Sequence, residues 1–267
     1  MTAGTGQVNG TLSDARLVGT VPQPATWISE LSGDRAGFFT RTNPPAAAGP
    51  YTVVFPGGDG VTEPAGYGFG LVSVDGLGAV RLTGFLAEGT SISQRTSISK
   101  TGRWPLFVNL YGGTGSLIGW MNFTTNLPGS DVSGTPVWTK PANSFALYYP
   151  AGFVDSLETT GSRYVAPKGS TNNVLSITNG IIDFTGGNLG APFADTFTLA
   201  WNGKVTNPSG DKLILTITPS TGLFQGSVAV PGTNTVLKFK GVVVQDQTWG
   251  YGYFLNGRQS GQVFLTQ

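Results

Sequence analysis

Hydrophobic and polar residues alternate along most of this chain. In 79–86 every second residue from Val80 onward is apolar or glycine, and 222–230 shows the same pattern from Phe224 onward. Successive side chains of a strand point to opposite faces, so a period of two is typical of strands with one buried face. No convincing segment carries the i, i+3, i+4, i+7 apolar spacing of an amphipathic helix. The pattern therefore predicts an all-β protein.

The alternating pattern also repeats within the chain. A shift of 142 residues places Leu71 on Leu213, and the same shift, without a gap, places Gly84 on Gly226. Matched glycines within one ungapped register of matched apolar positions indicate an internal duplication. We therefore expect internally duplicated antiparallel meanders that form two barrel-like or sandwich-like halves.

The duplication predicts the following boundaries. The N-terminal half is 1–140 with a repeat core at 71–123, and the C-terminal half is 141–267 with a repeat core at 213–265. Each core is expected to hold five strands, at 71–75, 79–86, 91–98, 104–111 and 116–123 in the first half and at 213–217, 222–230, 235–244, 247–254 and 261–266 in the second.

The segments next to the two repeat cores predict further strands and a linker. Strand-like stretches at 49–58 and 195–204 precede the two cores, whereas the stretch 124–144, with its prolines and glycines, is expected to link the halves. Gly84 and Gly226 lie on the apolar faces of their strands, where a missing side chain permits a bend or lets an aromatic ring lie over the backbone. Such glycines are typical of small barrels.

One glycine-rich stretch, VNLYGGTGSLIGWMNF at 108–123, raises the question of a phosphate-binding loop. A dinucleotide fingerprint that began at Gly113 would need glycine where Ile118 stands, and both common phosphate loops need a helix behind them. The residues after the glycines alternate like a strand instead. We predict a hairpin turn at 112–116, with a counterpart at Asn256-Gly257 in the second half.

Composition and charge remove several classes of function. The chain has 267 residues, 15 basic and 14 acidic residues, and neither histidine nor cysteine. The charges are scattered, so no basic stripe predicts a nucleic-acid partner. Histidine is the commonest general base, the commonest zinc ligand and the usual partner of a nucleophilic serine, and all three roles are therefore unfilled by it. No motif predicts a metal site or a cofactor, and we assign no catalytic residue.

Targeting signals are equally sparse. The first ten residues, MTAGTGQVNG, lack the basic and apolar regions of a signal peptide. No run of about 18 apolar residues predicts a membrane span. If the protein is secreted, we expect the chain to be a mature module or a piece of something longer.

A glycoside hydrolase is the enzymatic alternative, because it needs two carboxylates and no histidine. Most acidic residues stand in predicted turns, where a short carboxylate caps the local backbone. The sequence places no two of them face to face. The candidates include Asp34, Asp59, Glu63, Glu88, Asp131, Asp155, Glu158, Asp183 and Asp246.

Aromatic residues supply a second alternative, a carbohydrate-binding module, because flat rings stack on sugars. Trp120 and Trp249 stand within alternating strands and are expected to fill cores. Four aromatic residues outside the regular pattern are the candidate ligand-binding residues, because exposed rings are expected there; they are Trp27, Trp138, Tyr148 and Tyr149.

Several segments also carry a resemblance, in order and spacing, over roughly residues 45–267. They are PAGYGFGLVSVDGLGAVRLTGFLAEGT, GRWPLFVNLYGGTGSLIGWMNF, YYPAGF, GSRYVAP, LTITPSTGLFQGSV and FKGVVVQDQTWGYGYFLNGRQSGQVFL. They resemble an uncharacterised glycine-rich β-domain found in large secreted or surface-exposed multidomain proteins of environmental bacteria, often near the C-terminus. The chain departs from that pattern at Glu88, where the family would have aspartate.

The resemblance implies an extracellular or cell-surface location and brings no catalytic residues. Taken together with the missing chemistry, it leads us to expect a non-catalytic structural or adhesive module of a secreted or cell-surface bacterial protein. A polysaccharide or another surface protein is the expected partner. Carbohydrate binding through exposed aromatic rings and carboxylate-dependent glycoside hydrolysis remain open as alternatives.

Overall fold

The computed structural model describes residues 9–12, 16–22, 28–124, 130–168, 174–175, 177–200, 203–207 and 212–267. This part of the chain is built of β-strands with two short 3-10 helices, at Tyr111–Gly113 and Gln245–Gln247. The strands are β1 (Asn9–Leu12), β2 (Arg16–Pro22), β3 (Ile28–Asp34), β4 (Gly49–Phe55), β5 (Gly68–Val74), β6 (Ala79–Phe85), β7 (Ser91–Ser97), β8 (Arg103–Leu110), β9 (Gly115–Phe123), β10 (Val132–Gly134), β11 (Val137–Lys140), β12 (Phe153–Ser156), β13 (Thr159–Arg163), β14 (Asn179–Gly186), β15 (Phe193–Leu199), β16 (Val205–Thr206), β17 (Ile214–Thr218), β18 (Leu223–Ala229), β19 (Val236–Val244), β20 (Trp249–Asn256) and β21 (Gln259–Thr266).

The first barrel runs from β4 to β13. Its strands pair with their successors as antiparallel neighbours, except between β7 and β8, and the last of them, β13, pairs with the first, β4. β10 and β11 both pair with β9, so they form one bent strand interrupted beside Pro136, and β12 and β13 form another. Proline lacks the N–H that a continuous ladder needs. Counted this way, the first barrel has eight strands.

A seam between β7 and β8 interrupts the ladders of the first barrel. One side chain bridges it: the Gln94 amide donates to the Pro105 carbonyl at 2.8 Å and accepts from Trp104 Nε1 at 2.9 Å. Pro105 has no N–H of its own to offer. The side chain of Gln94 therefore supplies hydrogen bonds across the seam.

The second barrel has the same plan. β14 to β21 form an antiparallel sheet in the order β16-β15-β14-β21-β20-β19-β18-β17, in which the first strand, β14, pairs with the last, β21. Its seam lies between β16 and β17. The chain is thus all-β, with two barrel-like halves built from antiparallel meanders, as the alternation predicted. A further sheet, β1-β2-β3, precedes the first barrel.

The ten core strands predicted from the repeat correspond to β5–β9 and β17–β21. The glycine-rich stretch is the predicted hairpin between β8 and β9. The turn between β20 and β21 is Gly257-Arg258, one residue later than the predicted Asn256-Gly257. However, β5–β9 are the second to sixth strands of their barrel, whereas β17–β21 are the fourth to eighth of theirs. The 142-residue shift therefore aligns strands that differ by two places, or one hairpin, in the strand order of their barrels. Such a displaced match arises because every hairpin of a meander has the same alternation of inward and outward side chains.

The division between the halves lies later than the expected boundary at 140/141. β11 ends at Lys140, and β12 and β13 continue the first sheet to Arg163. The first strand of the second barrel begins at Asn179. The stretch 124–144 was expected to be a linker, but it includes the bent strand β10–β11, whose short pieces and proline disguise the alternation.

Side chains fill both barrels. The first core contains Trp104, Leu82 and Trp138 among its buried residues, and the second contains Phe184, Phe224 and Phe254. Gly226 faces inward, and a Cβ at this position would lie 2.6 Å from Cζ of Phe239 and against a neighbouring backbone oxygen. Of the two expectations for the strand glycines, a bend or an overlying aromatic ring, the ring is found at Gly226; at Gly84 the nearest atoms belong to the backbone of the neighbouring strand.

The two barrels pack side by side through the outer faces of β4 and β5 and of β19 and β20. A third apolar cluster joins them and contains Val54, Phe69, Ala87, Val242, Val244 and Tyr253. Hydrogen bonds cross the same interface: Thr52 Oγ1 donates to the Val243 carbonyl at 2.6 Å, and Tyr67 N donates to the Gly252 carbonyl at 3.1 Å. Buried apolar contacts and satisfied polar groups together hold the barrels in one arrangement.

Candidate functional site

Trp138 lies in β11 inside the first barrel and is 2% exposed. Its Nε1 donates to Tyr111 Oη at 3.0 Å, and its ring meets Phe153 edge-on at 4.6 Å. This corrects the expectation of an exposed ring: the segment is a strand, and its alternate residues face the core. Trp138 therefore offers no face for stacking on a sugar from solvent.

Tyr149 is also buried, at 5% exposure. Its hydroxyl accepts a hydrogen bond from Ser260 N of the second barrel at 2.9 Å, and its ring packs edge-on against Phe153 at 5.9 Å. Tyr149 thus joins the barrels. Tyr148 keeps partial exposure, and Trp27 lies outside the described residues. The structure brings Trp138 and Tyr149 together around Phe153, inside the fold.

The surroundings of Trp138 include a buried ion pair that sequence reasoning missed. Lys140 Nζ lies 2.7 Å from Glu88 Oε2, and both side chains are more than nine-tenths buried. Glu88 Oε1 accepts from Thr90 Oγ1 at 2.7 Å and from the Tyr111 hydroxyl. Lys140 also lies over the Tyr111 ring, 4.2 Å from its centroid. Glu88 was expected to be a turn residue, and no local signal predicts its partner from a strand some fifty residues away.

This network is satisfied internally, which argues for a structural role. Burial, followed by the negative charge of Glu88, raises the pKa of Tyr111 well above its usual range, so its hydroxyl stays protonated and donates. Every charge in the network has a partner within the cluster. A buried ion pair with its hydrogen bonds made specifies a single arrangement of the side chains around it.

An aromatic cluster on the outside of the second barrel remains open to solvent. Trp249 is 42% exposed, which corrects the expectation that it fills a core. Its ring lies 6.3 Å from Tyr251 and 5.4 Å from Phe264, and Tyr251 in turn contacts Tyr67 of the first barrel at 5.0 Å. Trp249 begins β20 on its outward face, where alternation alone does not distinguish solvent from a neighbouring barrel.

The outer aromatic cluster, which we define as Trp249, Tyr251 and Phe264, has a polar border. The Tyr251 hydroxyl donates to Gln247 Oε1 at 2.6 Å, and Asp183 stands directly opposite Phe264 on β14. Partial burial raises the pKa of Asp183. The rings are tilted by 55–73° relative to one another, so they form a packed ridge with an exposed indole instead of a flat platform.

The carboxylates do not form a hydrolase site in any of four surface grooves that described residues line. Four surface grooves formed by described residues contain a single carboxylate between them, Asp195. Elsewhere, partial burial and the nearby charges of Asp155 and Asp59 raise the pKa of Glu63. Those three lie outside the four grooves. A glycosidase needs its two carboxylates on either side of a bound sugar, and none of these grooves provides them.

Other classes of site were sought among the same residues. No set of three His, Cys, Asp or Glu side chains in the described ranges is arranged to hold a metal ion. Within those ranges, no helix has the length and apolarity needed to cross a membrane.

Comparison with known proteins adds little to this geometry. No family model and no curated protein matches the chain. The crystal structure of a protein of unknown function from the DUF3598 family of Nostoc punctiforme is similar at a TM-score of 0.20 and 10% identity, covering 82% of this chain and 94% of that chain. A likeness at this level supports no functional argument.

Proposed function

We propose that the protein is a non-catalytic structural or adhesive module of a secreted or cell-surface bacterial protein. One observation carries the proposal: both barrel interiors are filled with packed side chains, so the surface that remains for a partner is the outside of a rigid double barrel. Such a unit holds exterior contacts in fixed relative positions. The resemblance to a domain of secreted multidomain proteins supports the location.

The proposal is tested with the intact chain immobilised on a sensor. We expect it to bind at least one member of a panel of insoluble polysaccharides and protein-coated surfaces. In parallel assays on chromogenic glycosides, we expect no turnover. Release of product above a heat-treated control would contradict a non-catalytic role, and an absence of binding across the panel would contradict adhesion.

A second candidate function, carbohydrate binding, is favoured by the exposed indole of Trp249. One face of an indole suffices to stack on a sugar ring, and the Asp183 carboxylate and Gln247 amide lie within the same patch to hydrogen-bond hydroxyl groups. The site differs from the one predicted from sequence, which centred on Trp138. The residue proposed to stack on the sugar is therefore Trp249, on the exterior of the second barrel, in place of Trp138 in the interior of the first.

The chain contains a matched control for this candidate. Trp120 was expected to fill a core but is half-buried on β9 and lies outside the first core cluster; the Arg103 guanidinium lies 4.3 Å from its ring centroid. Trp249→Ala should weaken binding to neutral polysaccharides at least tenfold in affinity electrophoresis, as expected for the loss of a stacking contact. Trp120→Ala should leave that binding unchanged. Equal effects of the two variants would contradict a site at Trp249.

A further inference from the structure

A groove of about 650 Å³ lies between the barrels, on the outer faces of β17 to β20. Its floor is made of two rows of side chains whose order is set by the ladder registers. One row is Thr216, Gln225, Lys240 and Tyr253, and the other is Ile214, Ser227, Lys238 and Leu255. The turn that follows β6 of the first barrel contributes Gly89 to its edge.

The dimensions of this groove suit an extended ligand. Neighbouring strands lie about 4.8 Å apart, so the four strands give a floor roughly 14 Å long across the sheet. The first row is polar throughout, whereas the second has Ser227 and Lys238 between two apolar side chains, Ile214 and Leu255. A chain that crosses the strands along the first row would therefore meet the polar side chains of Thr216, Gln225 and Lys240 in turn.

The groove is cationic. Lys238 and Lys240 are its charged lining residues, and no carboxylate lines it. Lys240 is half-buried, with Nζ 3.0 Å from the centroid of the Phe85 ring and 5.5 Å from that of Tyr253. Burial lowers the pKa of Lys240. Neither ammonium group forms an ion pair or hydrogen bond with any residue that the structure describes.

A second polar group in the same groove lacks a partner. Tyr253 is 2% exposed, and its hydroxyl is buried without a hydrogen bond to the described residues. Burial is the main cause that raises its pKa, so the hydroxyl is a donor. Buried polar groups in native proteins are nearly always satisfied, so the Tyr253 hydroxyl favours an acceptor at this end of the groove, close to the ammonium group of Lys240.

We infer that this inter-barrel groove binds an acidic polysaccharide, with sugar carboxylates at Lys238 and Lys240 and sugar hydroxyls at Thr216, Gln225 and Ser227. The inference rests on the proposed adhesive function and specifies its ligand. The positive charge of the two lysines favours an anion, and the hydroxyl and amide groups beside them suit a polyhydroxylated chain. A nucleic acid fits less well, because the formal net charge of the chain is only +1.

The test uses the intact chain and polygalacturonate, with fully methyl-esterified polygalacturonate as the neutral polymer of the same backbone. We expect binding to the acidic polymer and at least tenfold weaker binding to the ester. The double variant Lys238→Gln/Lys240→Gln should lose about tenfold in affinity for each lysine removed. Lys168→Gln, which removes one positive charge at an exposed loop residue outside the groove, should bind like the unmodified chain.

Two further measurements keep the result interpretable. Thermal unfolding of each variant establishes that the fold is retained, and Lys240→Arg, which keeps the charge, should preserve binding within about threefold. If the folded double variant binds as the unmodified chain does, or if the ester binds equally well, the groove assignment is overturned. Preferential binding of polyphosphate or single-stranded DNA would overturn the choice of a sugar.

The groove assignment and the proposed adhesive function are tested by different measurements. If the intact chain does not bind polygalacturonate, the groove assignment is overturned, whatever the chain does on neutral polymers and protein-coated surfaces. Those surfaces, together with the glycoside turnover assays, decide whether the protein is a non-catalytic adhesive module.

Discussion

The two barrels follow the same strand plan but are filled in different ways. The first contains the Glu88–Lys140 ion pair, which is hydrogen-bonded to Thr90 and Tyr111 and lies against Trp138. The second is filled by aromatic rings around Phe184, which contacts Phe193, Phe239 and Phe254 at centroid distances of 4.9, 5.2 and 6.1 Å. Both kinds of interior are compatible with the same period-two alternation of hydrophobic and polar residues.

The difference teaches that strand alternation specifies a barrel without specifying what stabilises its interior. An aromatic core gains free energy from buried area and tolerates some repacking. A buried ion pair gains little on balance, but its loss is severe when only one partner is removed. We therefore expect the first barrel to be the more sensitive to single changes that unpair a polar group.

The largest expected effect comes from Lys140→Met. This change leaves the Glu88 carboxylate buried without its cation, and we expect the free energy of unfolding to fall by about 3–5 kcal/mol at pH 7. Urea unfolding followed by tryptophan fluorescence measures the loss. The double variant Glu88→Gln/Lys140→Met should recover most of it, because no buried charge remains. A single variant within about 0.5 kcal/mol of the unmodified protein would contradict the contrast between the barrels.

The seam of the first barrel gives the next largest effect. Gln94→Leu leaves the Trp104 indole N–H and the Pro105 carbonyl unpartnered, so we expect a loss of about 1–3 kcal/mol. Hydrogen exchange should accelerate first in β7 and β8. Gln262→Leu is the control, since Gln262 lies on the outer face of β21 with one long hydrogen bond, from Thr185 Oγ1 at 3.2 Å. Equal destabilisation by both variants would show that Gln94 does not hold the seam.

Much of this fold follows from the sequence. Regular strands with unbroken alternation, such as β6 and β18, stand within two residues of their predicted bounds, because period two is a local property. The bent strand β10–β11 does not show this signal, since Pro136 and Gly134 interrupt it. The repeat in the sequence aligns the two barrels one hairpin out of step, because alternation alone does not show which strand of a barrel a segment forms.

The candidate sites were much harder to predict than the strands. Exposure of Trp249 depends on which outer face of the second barrel meets the first, and alternation contains no information about that contact. Burial of Trp138 inside the first barrel depends on recognising the short strand β11, whose signal Pro136 interrupts. The groove at Lys238 and Lys240 arises from cross-strand registers and from a turn of the first barrel. The spacing of two lysines on one strand face was visible in the sequence, but their lack of acidic partners was not.

The contact between the barrels should be sensitive to alkaline pH. Burial raises the pKa of Tyr164 to about 12, and its hydroxyl donates to the Pro219 carbonyl of the second barrel at 2.6 Å. The unfolded chain loses this proton near pH 10 while the folded protein keeps it, so stability present below pH 10 is lost as the pH rises towards 12. Between pH 9 and 11.5 the unmodified protein should lose about 1 kcal/mol more than Tyr164→Phe.

Absorbance at 295 nm provides the corresponding check on Tyr164. The variant should lack one of the late-titrating phenols of the folded protein. An identical alkaline decline in both proteins would show that Tyr164 does not link the barrels in a pH-dependent way.

The smallest expected effect concerns a repulsive contact between the barrels. Partial burial, with the nearby carboxylate of Asp131 in the first barrel, raises the pKa of Asp246 in the second. A raised carboxyl pKa means that the contribution to stability is present in acid and is lost as the pH rises through the folded value. Asp246→Asn should therefore raise Tm by about 1 °C at pH 7, since the site is screened by solvent, and by nothing measurable at pH 3. A gain at pH 3 as large as that at pH 7 would mean that the substitution acts through packing, and that charge plays no part in how the two barrels meet at this point.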